Sequence, residues 1–393
     1  MKKVLMCATV ASMIGQFNMN NLDILMKLGY ETHVACDFND ESVWTNERIE
    51  KFKEDMCTLN ITCHQIDFSR NPLNIRKDLA SYMQMKSLVR KERFNLIHCH
   101  TPVAAAISRV VAHQERIKII YTAHGFHFYK GAPIKNWLVF YPIEKFLSRW
   151  TDTLITINKE DYQRAKNHFY AKRIVYVPGV GIDTKKFHSR LNDTKFKRTE
   201  LGLTDKDIML LSVGELSSRK NHQVVINALG SLKKQERLDN IHYFICGKGD
   251  LLSDLQVLAH KLKIDNVVKF LGFRSDIAEL CQAADLFIFS SLQEGLPVAL
   301  MEAIACNTPV ICSKIRGNED LIHNDSDMFD VKDMNSLVSI LKEKLFDKNG
   351  MPNRSILVEK MQTSVKENYM NILQIFVLTN VEQQMTQIYR EIK

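Results

Sequence analysis

Short apolar runs alternate with amphipathic stretches along this chain. Lys3–Val10, Glu31–Cys36, Leu96–His100, Ile117–Thr122, Thr153–Ile157 and Ile174–Val177 have the length and composition of buried strands. Between them, Phe17–Leu28, Leu79–Arg90 and Ala104–Gln114 repeat their apolar residues at helical spacing. The opening Val4–Ile14 reads as a first core strand running into a loop rather than as a signal peptide. Strand–helix alternation predicts a parallel sheet with helices on both faces. Pro178-Gly-Val-Gly-Ile-Asp183 breaks the pattern, and a basic, polar stretch follows to about Thr199. It restarts with Ile208–Val213, Tyr243–Cys246, Val267–Leu271, Leu286–Phe289 and Pro309–Cys312. The expected architecture is therefore α/β, with two doubly wound Rossmann-like domains, residues 1–190 and 191–370, facing across a cleft. A last helix over Met370–Ile392, carrying Ile372, Phe376, Val381, Met385 and Tyr389, is expected to cross back onto the first domain (about 371–393). Doubly wound sheets bind ligands beyond the carboxyl ends of their strands. Those ends carry Gly15, His100, His124-Gly125, Gly214, Gly247-Lys-Gly249, Gly272 and Glu294-Gly295.

Charge refines this picture. Residues 1–190 carry 28 Lys+Arg against 18 Asp+Glu, and the remainder 25 against 27, so the net +8 resides in the first domain. A basic half implies an acidic partner. Nucleic acid is not expected, because zinc-finger spacing, a helix-turn-helix pattern and an aromatic-basic sheet motif are all missing. An anionic membrane surface fits better: Arg76, Lys77, Lys86, Arg90, Lys91 and Arg93 run along an interrupted helical segment with Leu79, Met83 and Met85. A solvated basic face would give the same pattern. No run reaches the roughly 20 apolar residues that span a bilayer. Nine cysteines with no Cys-x-x-Cys pair fit reduced core thiols in the cytoplasm.

The densest chemistry lies in Ser290-Ser-Leu-Gln-Glu-Gly-Leu-Pro-Val-Ala-Leu-Met-Glu302, after the apolar strand Ala284–Phe289. A strand, an acidic glycine turn and a helix opened by Pro297 aim backbone N–H groups at an anion. Glu294 falls on the turn and Glu302 inside the helix, so one carboxylate reaches a sugar and the other a ribose. A nucleotide-sugar is the ligand this suggests. Spacing alone is no proof, since Glu359 and Glu367 repeat it in a helical stretch with no glycine turn. His98, His100, His124 and His127 have zinc-compatible spacings but no acidic partner at a telling offset. Asp325-Ser-Asp327 lies in a polar stretch and reads as a turn, and Gly247-Lys-Gly249 lacks the third glycine of a dinucleotide fingerprint. Lys220 falls at a helix start, where a cation is unfavourable unless an anion is near.

The segments Tyr121-Thr-Ala-His-Gly-Phe-His-Phe-Tyr-Lys-Gly-Ala-Pro133, Ile157-Asn-Lys-Glu-Asp161, Val213-Gly214 with Lys220-Asn221, Glu294–Glu302 and Ser313-Lys-Ile-Arg-Gly-Asn318 follow one another in a familiar order. The chain resembles retaining GT-B glycosyltransferases of family 4, in the branch that builds bacterial capsule and exopolysaccharide. The resemblance implies catalytic roles for His124, Lys220 and Glu294. Glu294 and His124 would contact the transferred sugar, Glu302 the ribose, and Lys220 the diphosphate. Gly295 and Leu296 would present backbone N–H groups, Gly272-Phe273-Arg274 would hold the base, and Gly15 and Arg219 would complete the donor site. No metal or other cofactor is implied, because a lysine and a helix start meet the leaving diphosphate. The implied reaction moves a sugar from a UDP-sugar to a polyprenyl-diphosphate-linked saccharide, with retention, at the cytoplasmic face of the membrane. The alternative is a nucleotide-sugar epimerase of the same architecture. A non-catalytic sugar-binding module would normally be exported, and no signal peptide is read here. This chain departs from the family at Glu215, where an arginine is usual. It has Gly179 for the linker asparagine, Asn307 for a helix-capping glycine, and Gly15 alone in a normally glycine-rich loop.

Overall fold

A computed structural model describes residues 1–71, 74–189, 194–236 and 238–392. The chain forms two units, Met1–Gly181 with Thr379–Lys393, and Ile182–Leu378. The division thus falls at Gly181. The boundary expected between 190 and 191 lies outside the described residues.

The first unit is built on β1 (Lys2–Val10), β2 (Tyr30–Asp37), β3 (Thr62–Gln65), β4 (Leu96–His100), β5 (Lys118–Ala123), β6 (Thr153–Thr156) and β7 (Arg173–Tyr176). They form one parallel sheet in the order β3-β2-β1-β4-β5-β6-β7. The second unit carries β8 (Ile208–Val213), β9 (Ile241–Cys246), β10 (Val268–Gly272), β11 (Leu286–Phe289), β12 (Val310–Ser313) and β13 (Met328–Phe329). Its order is β10-β9-β8-β11-β12-β13, again all parallel. Strands covered on both faces must be apolar throughout, and Val4–Val10 and Leu286–Phe289 are buried at every position. The chain reverses its strand order between β1 and β4 and between β8 and β11. Loops leaving those strands diverge there and open a crevice.

Three expectations need correction. No loop follows β1: Ala11–Phe17 is a helix, because Ala11, Ser12 and Ile14 continue the core at helical spacing. The segment read as one helix from Phe17 is separate, Met19–Lys27, with Asn18 between. The terminal helix is broken. A helix over Arg354–Asn371 passes into a π-helical turn, Ile372–Phe376, and Val377 is extended (φ −65°, ψ 139°) before the helix Leu378–Glu391. The break has a hydrogen-bonding cause. Ile182 N–H donates to Phe376 O at 2.8 Å, and Leu378 N–H donates to Ile182 O at 2.9 Å, which takes Val377 out of the helical ladder. The last helix then packs Val381, Met385, Ile388 and Tyr389 into the core of the first unit.

All nine cysteines are free thiols. Among the described residues no helix is long and apolar enough to cross a membrane.

Candidate active site

In the second unit the switch point places the loops after β8 and β11 side by side. Ser290 Oγ donates to Lys220 O at 3.0 Å, and Leu292 N–H donates to Arg219 O at 2.8 Å. Glu294 therefore meets both cations through one atom: its Oε1 is 2.7 Å from Lys220 Nζ and 2.9 Å from an Arg219 guanidinium nitrogen. Its Oε2 accepts no hydrogen bond among the described residues. The Lys220 stem lies against Gly214, where a Cβ would come within 3.3 Å of Lys220 Cδ, and its Nζ sits 4.9 Å from the centre of the Phe289 ring. Lys220 is 14% exposed and Arg219 47%. Burial lowers the Lys220 pKa, and Glu294 opposes that. Two cations sharing one oxygen form a charge cluster that a diphosphate would complete.

The helix after this turn is Val298–Ala305, with Pro297 as its N-cap (φ −83°, ψ 111°) rather than its first residue. The N–H groups of Gly295 and Leu296 have no partner among the described residues. Glu302 lies on the inner part of the helix, and its carboxyl makes no hydrogen bond among them either. Burial raises its pKa to about 7, with Lys186 opposing weakly. A sunken carboxyl with no protein partner is poised for ligand hydroxyls. Glu359 and Glu367, at the same spacing, are both exposed on Arg354–Asn371. Asn307 takes the left-handed cap conformation (φ 61°).

A second support was not assigned from the sequence. Arg316 Nε donates to Glu294 O at 3.1 Å, Ser313 Oγ to Ser291 O at 2.6 Å, and Asn318 Nδ2 to Ser313 O at 2.8 Å. Gly317 (φ 83°) is pressed on the Glu294–Gly295 turn, where a Cβ would come 2.4 Å from Gly295 O. The signal was the motif Ser313–Asn318 itself, although its contact with the turn could not be read. On the other side, the loops after β8, β9 and β10 are stitched in series. Gly214 N–H donates to Cys246 O and Gly247 N–H to Gly272 O. A Cβ on Gly247 would fall 1.8 Å from Gly214 O.

The predicted base loop follows β10. Gly272 (φ 67°) is half-buried, a Cβ there would meet nothing within 4 Å, and Phe273 is exposed. Arg274 is held within the protein: Nε donates to Asp276 Oδ1 at 2.8 Å, and the guanidinium also pairs with Glu200 at 2.9 Å. These partners hold the guanidinium pKa above its usual range. Glu215 is exposed, and it enters no ion pair among the described residues.

In the first unit, His124 follows β5 and neighbours the end of β4. His98 Nδ1 lies 2.8 Å from the Tyr389 hydroxyl, and its Nε2 lies 2.8 Å from Thr122 Oγ1. His100 Nδ1 contacts His124 Nε2 at 3.0 Å. Burial pushes His98 down to about 3, His124 to about 4 and His100 well below its usual value. All three are neutral at pH 7, so His124 offers a hydroxyl a hydrogen bond rather than a charge. Asp161 fixes the loop behind it, accepting from Phe126 N–H at 3.0 Å while Asn158 Oδ1 accepts from Asp161 N–H at 2.8 Å. His127 is elsewhere, stacked on Phe140. Among the described residues no group of three or more His, Cys, Asp or Glu is placed to hold a metal. Asp325 and Asp327 lie on a 3-10 turn, paired with Lys314 and Lys344. Gly15 sits inside the first helix, where a Cβ would come 2.3 Å from Trp44 Cη2. Its smallness there serves packing against Trp44.

Residues 21–186 match the family described as Glycosyltransferase Family 4, and residues 193–368 match Glycosyl transferases group 1. The Bacillus subtilis protein EpsD, named as a glycosyltransferase, is 36% identical over 337 residues, covering 84% of each chain. An Escherichia coli UDP-Gal:alpha-D-GlcNAc-diphosphoundecaprenol alpha-1,3-galactosyltransferase is 28% identical over 282 residues, covering 70% of this chain and 73% of the relative. Anabaena HepE, solved with UDP and glucose, superposes with a TM-score of 0.75 at 19% identity, over 99% of this chain and 100% of that one. Two Rossmann-like units with these family matches define the GT-B class of sugar transferase. The chain belongs to the glycosyltransferases, with a family 4 first half and a group 1 second half.

Proposed function

We propose that this glycosyltransferase moves a sugar from a UDP-sugar to a polyprenyl-diphosphate-linked saccharide, with retention of the anomer and without a metal, in the synthesis of a bacterial cell-surface polysaccharide. The observation that carries the reading is the convergence of Lys220 and Arg219 on Glu294 beside the sunken Glu302. The cations meet the diphosphate, Glu294 Oε2 meets sugar hydroxyls, and Glu302 meets the ribose. Phe273, exposed on the β10 loop, covers the base, and Arg274 shapes that loop through Asp276. As the nucleotide leaves, negative charge grows on the phosphate and positive charge on the sugar. Lys220, Arg219 and the N–H groups of Gly295 and Leu296 stabilise the first. The acceptor attacks from the face the diphosphate vacates, which retains the anomer and calls for no protein nucleophile. The donor and acceptor classes draw support from the E. coli relative's name and from the UDP and UDP-glucose complexes of HepE. The polysaccharide setting draws support from the amylovoran biosynthesis glycosyltransferase AmsK of Erwinia amylovora, 34% identical over 161 residues, or 39% of this chain and 37% of AmsK. A polyprenyl acceptor places the reaction at the inner face of the membrane.

A thermal-shift screen with UDP, GDP, ADP and UDP-sugars tests the donor. UDP at about a hundred times its dissociation constant stabilises the unit that binds it by about 2.7 kcal/mol, and EDTA leaves the shift unchanged. The shift also depends on pH. Ribose hydroxyls donate to the ionised Glu302, so binding drives off its proton. Affinity is then full above about 7 and falls about tenfold per pH unit below it, until the pKa of the bound state is reached. A GDP or ADP preference would replace the donor. A shift lost in EDTA would refute metal independence.

A further inference from the structure

The helix Ile134–Leu147 follows directly on the loop that carries His124, and its two faces differ sharply. The inner face is fastened. Glu144 is buried and pairs with the buried Arg109 at 2.8 Å, while Trp137 and Tyr141 pack on Phe128 at 5.7 and 5.3 Å between ring centres. The outer face is apolar and exposed: Ile134 (77%), Leu138 (72%), Val139, Ile143 and Phe146. These positions recur at helical spacing, so they form one stripe along the first unit. Pro142 is also exposed inside this helix. The only acid in the helix is the buried Glu144, while Lys135 and Lys145 on the helix and Arg149 on the turn after it are basic. Lys145 and Arg149 lie 5.5 and 4.9 Å from the centre of the exposed Tyr170 ring and enter no ion pair among the described residues.

We propose that the Ile134–Leu147 stripe is a docking surface for an anionic phospholipid bilayer, with the apolar side chains entering the headgroup layer and Lys145, Arg149 and Tyr170 at its rim. An apolar face edged by cations and an interfacial aromatic matches the two terms that hold a helix in the plane of such a surface, buried area and lipid charge. Basic charge favours anionic lipid over a second copy of this positively charged unit. The helix picked out from the sequence is less suited. Ile75–Glu92 does expose Ile75, Leu79 and Met83. Its Lys77 and Arg90, however, pair with Asp37 and Glu115 at 3.0 and 2.9 Å, and Lys86 bonds to Gln114 at 2.9 Å. The inference deepens the reading of a membrane-embedded acceptor and rests on it for its purpose, while the binding itself stands on the stripe alone.

The test is co-sedimentation of the full chain with vesicles of phosphatidylcholine alone and of phosphatidylcholine with phosphatidylglycerol. The chain sediments with the anionic vesicles and not with the neutral ones. Leu138→Glu with Ile143→Glu lowers that binding by roughly tenfold or more, while Lys145→Glu with Arg149→Glu weakens it and flattens its salt dependence. The UDP thermal shift of each variant, kept at the parent value, shows that the fold and donor site survive. Equal vesicle binding by parent and Leu138/Ile143 variant, or a loss seen only with Leu79→Glu and Met83→Glu, overturns the proposal. So does a concentration-dependent dimer that the Leu138/Ile143 variant abolishes, since the stripe would then face a second copy. Vesicle binding with no UDP shift in the parent would uphold the docking surface and reject the donor reading.

Discussion

Glu294→Ala loses sugar transfer while keeping its affinity for UDP. The carboxylate sits where the turn after β11 meets Lys220 and Arg219, with Oε1 committed to both cations and Oε2 open. Contacts that strengthen as the sugar gains positive charge act on turnover rather than on ground-state binding. We therefore expect kcat to fall by at least about 10²-fold, with little change in the donor KM. Removing the carboxylate also leaves two cations facing the diphosphate, so the UDP dissociation constant holds or falls. Glu294→Gln separates charge from shape: it keeps an acceptor oxygen but not the attraction, and it should resemble the alanine variant in kcat. Steady-state kinetics with UDP titration by calorimetry reads both quantities. Turnover at the parent level in Glu294→Ala would remove the residue from the reaction.

Lys220→Ala is the second large effect. This ammonium is largely buried and faces a carboxylate, so its field is screened far less than that of the half-exposed Arg219. Its loss removes the charge that neutralises the departing phosphate, and we expect kcat to fall on the order of 10²–10³-fold, with weaker UDP binding. Arg219→Ala, at the rim, costs only a few-fold in the same assay. The reverse order, with Lys220→Ala near the parent rate and Arg219→Ala inactive, would transfer the role to the arginine.

Much of this arrangement was legible because parallel strands covered on both faces leave nearly continuous apolar runs. Leu96–His100, Ile208–Val213 and Leu286–Phe289 were bounded from the sequence as they stand in the structure. The residues just past such runs are the ones a doubly wound sheet brings to its edge, so Glu294 drew attention by its place after an apolar strand, while the role given to Lys220 came from the family resemblance. What escaped lacked a periodic signal. β3 is four residues, Thr-Cys-His-Gln, on the edge of the sheet, where one-sided cover does not demand apolar side chains. The extended Val377 depends on a hydrogen-bonded partner at Ile182, a pairing no local propensity encodes. Gly15 was read as what is left of a glycine-rich loop and lies inside a helix against Trp44, a neighbour remote in sequence. The pairing of Arg274 with Asp276 and Glu200 rests on charges whose proximity only the fold creates.

The most direct test of the central claim is transfer itself. The full chain is incubated with isotope-labelled UDP-hexoses and a polyprenyl-diphosphate-linked saccharide in EDTA, and the lipid-extracted product is read by NMR at its anomeric carbon. The expected product is an extended lipid-linked saccharide whose new linkage has the anomeric configuration of the donor. An inverted linkage, a free epimerised sugar formed without acceptor, or UDP binding with no transfer to any lipid-linked saccharide would contradict it.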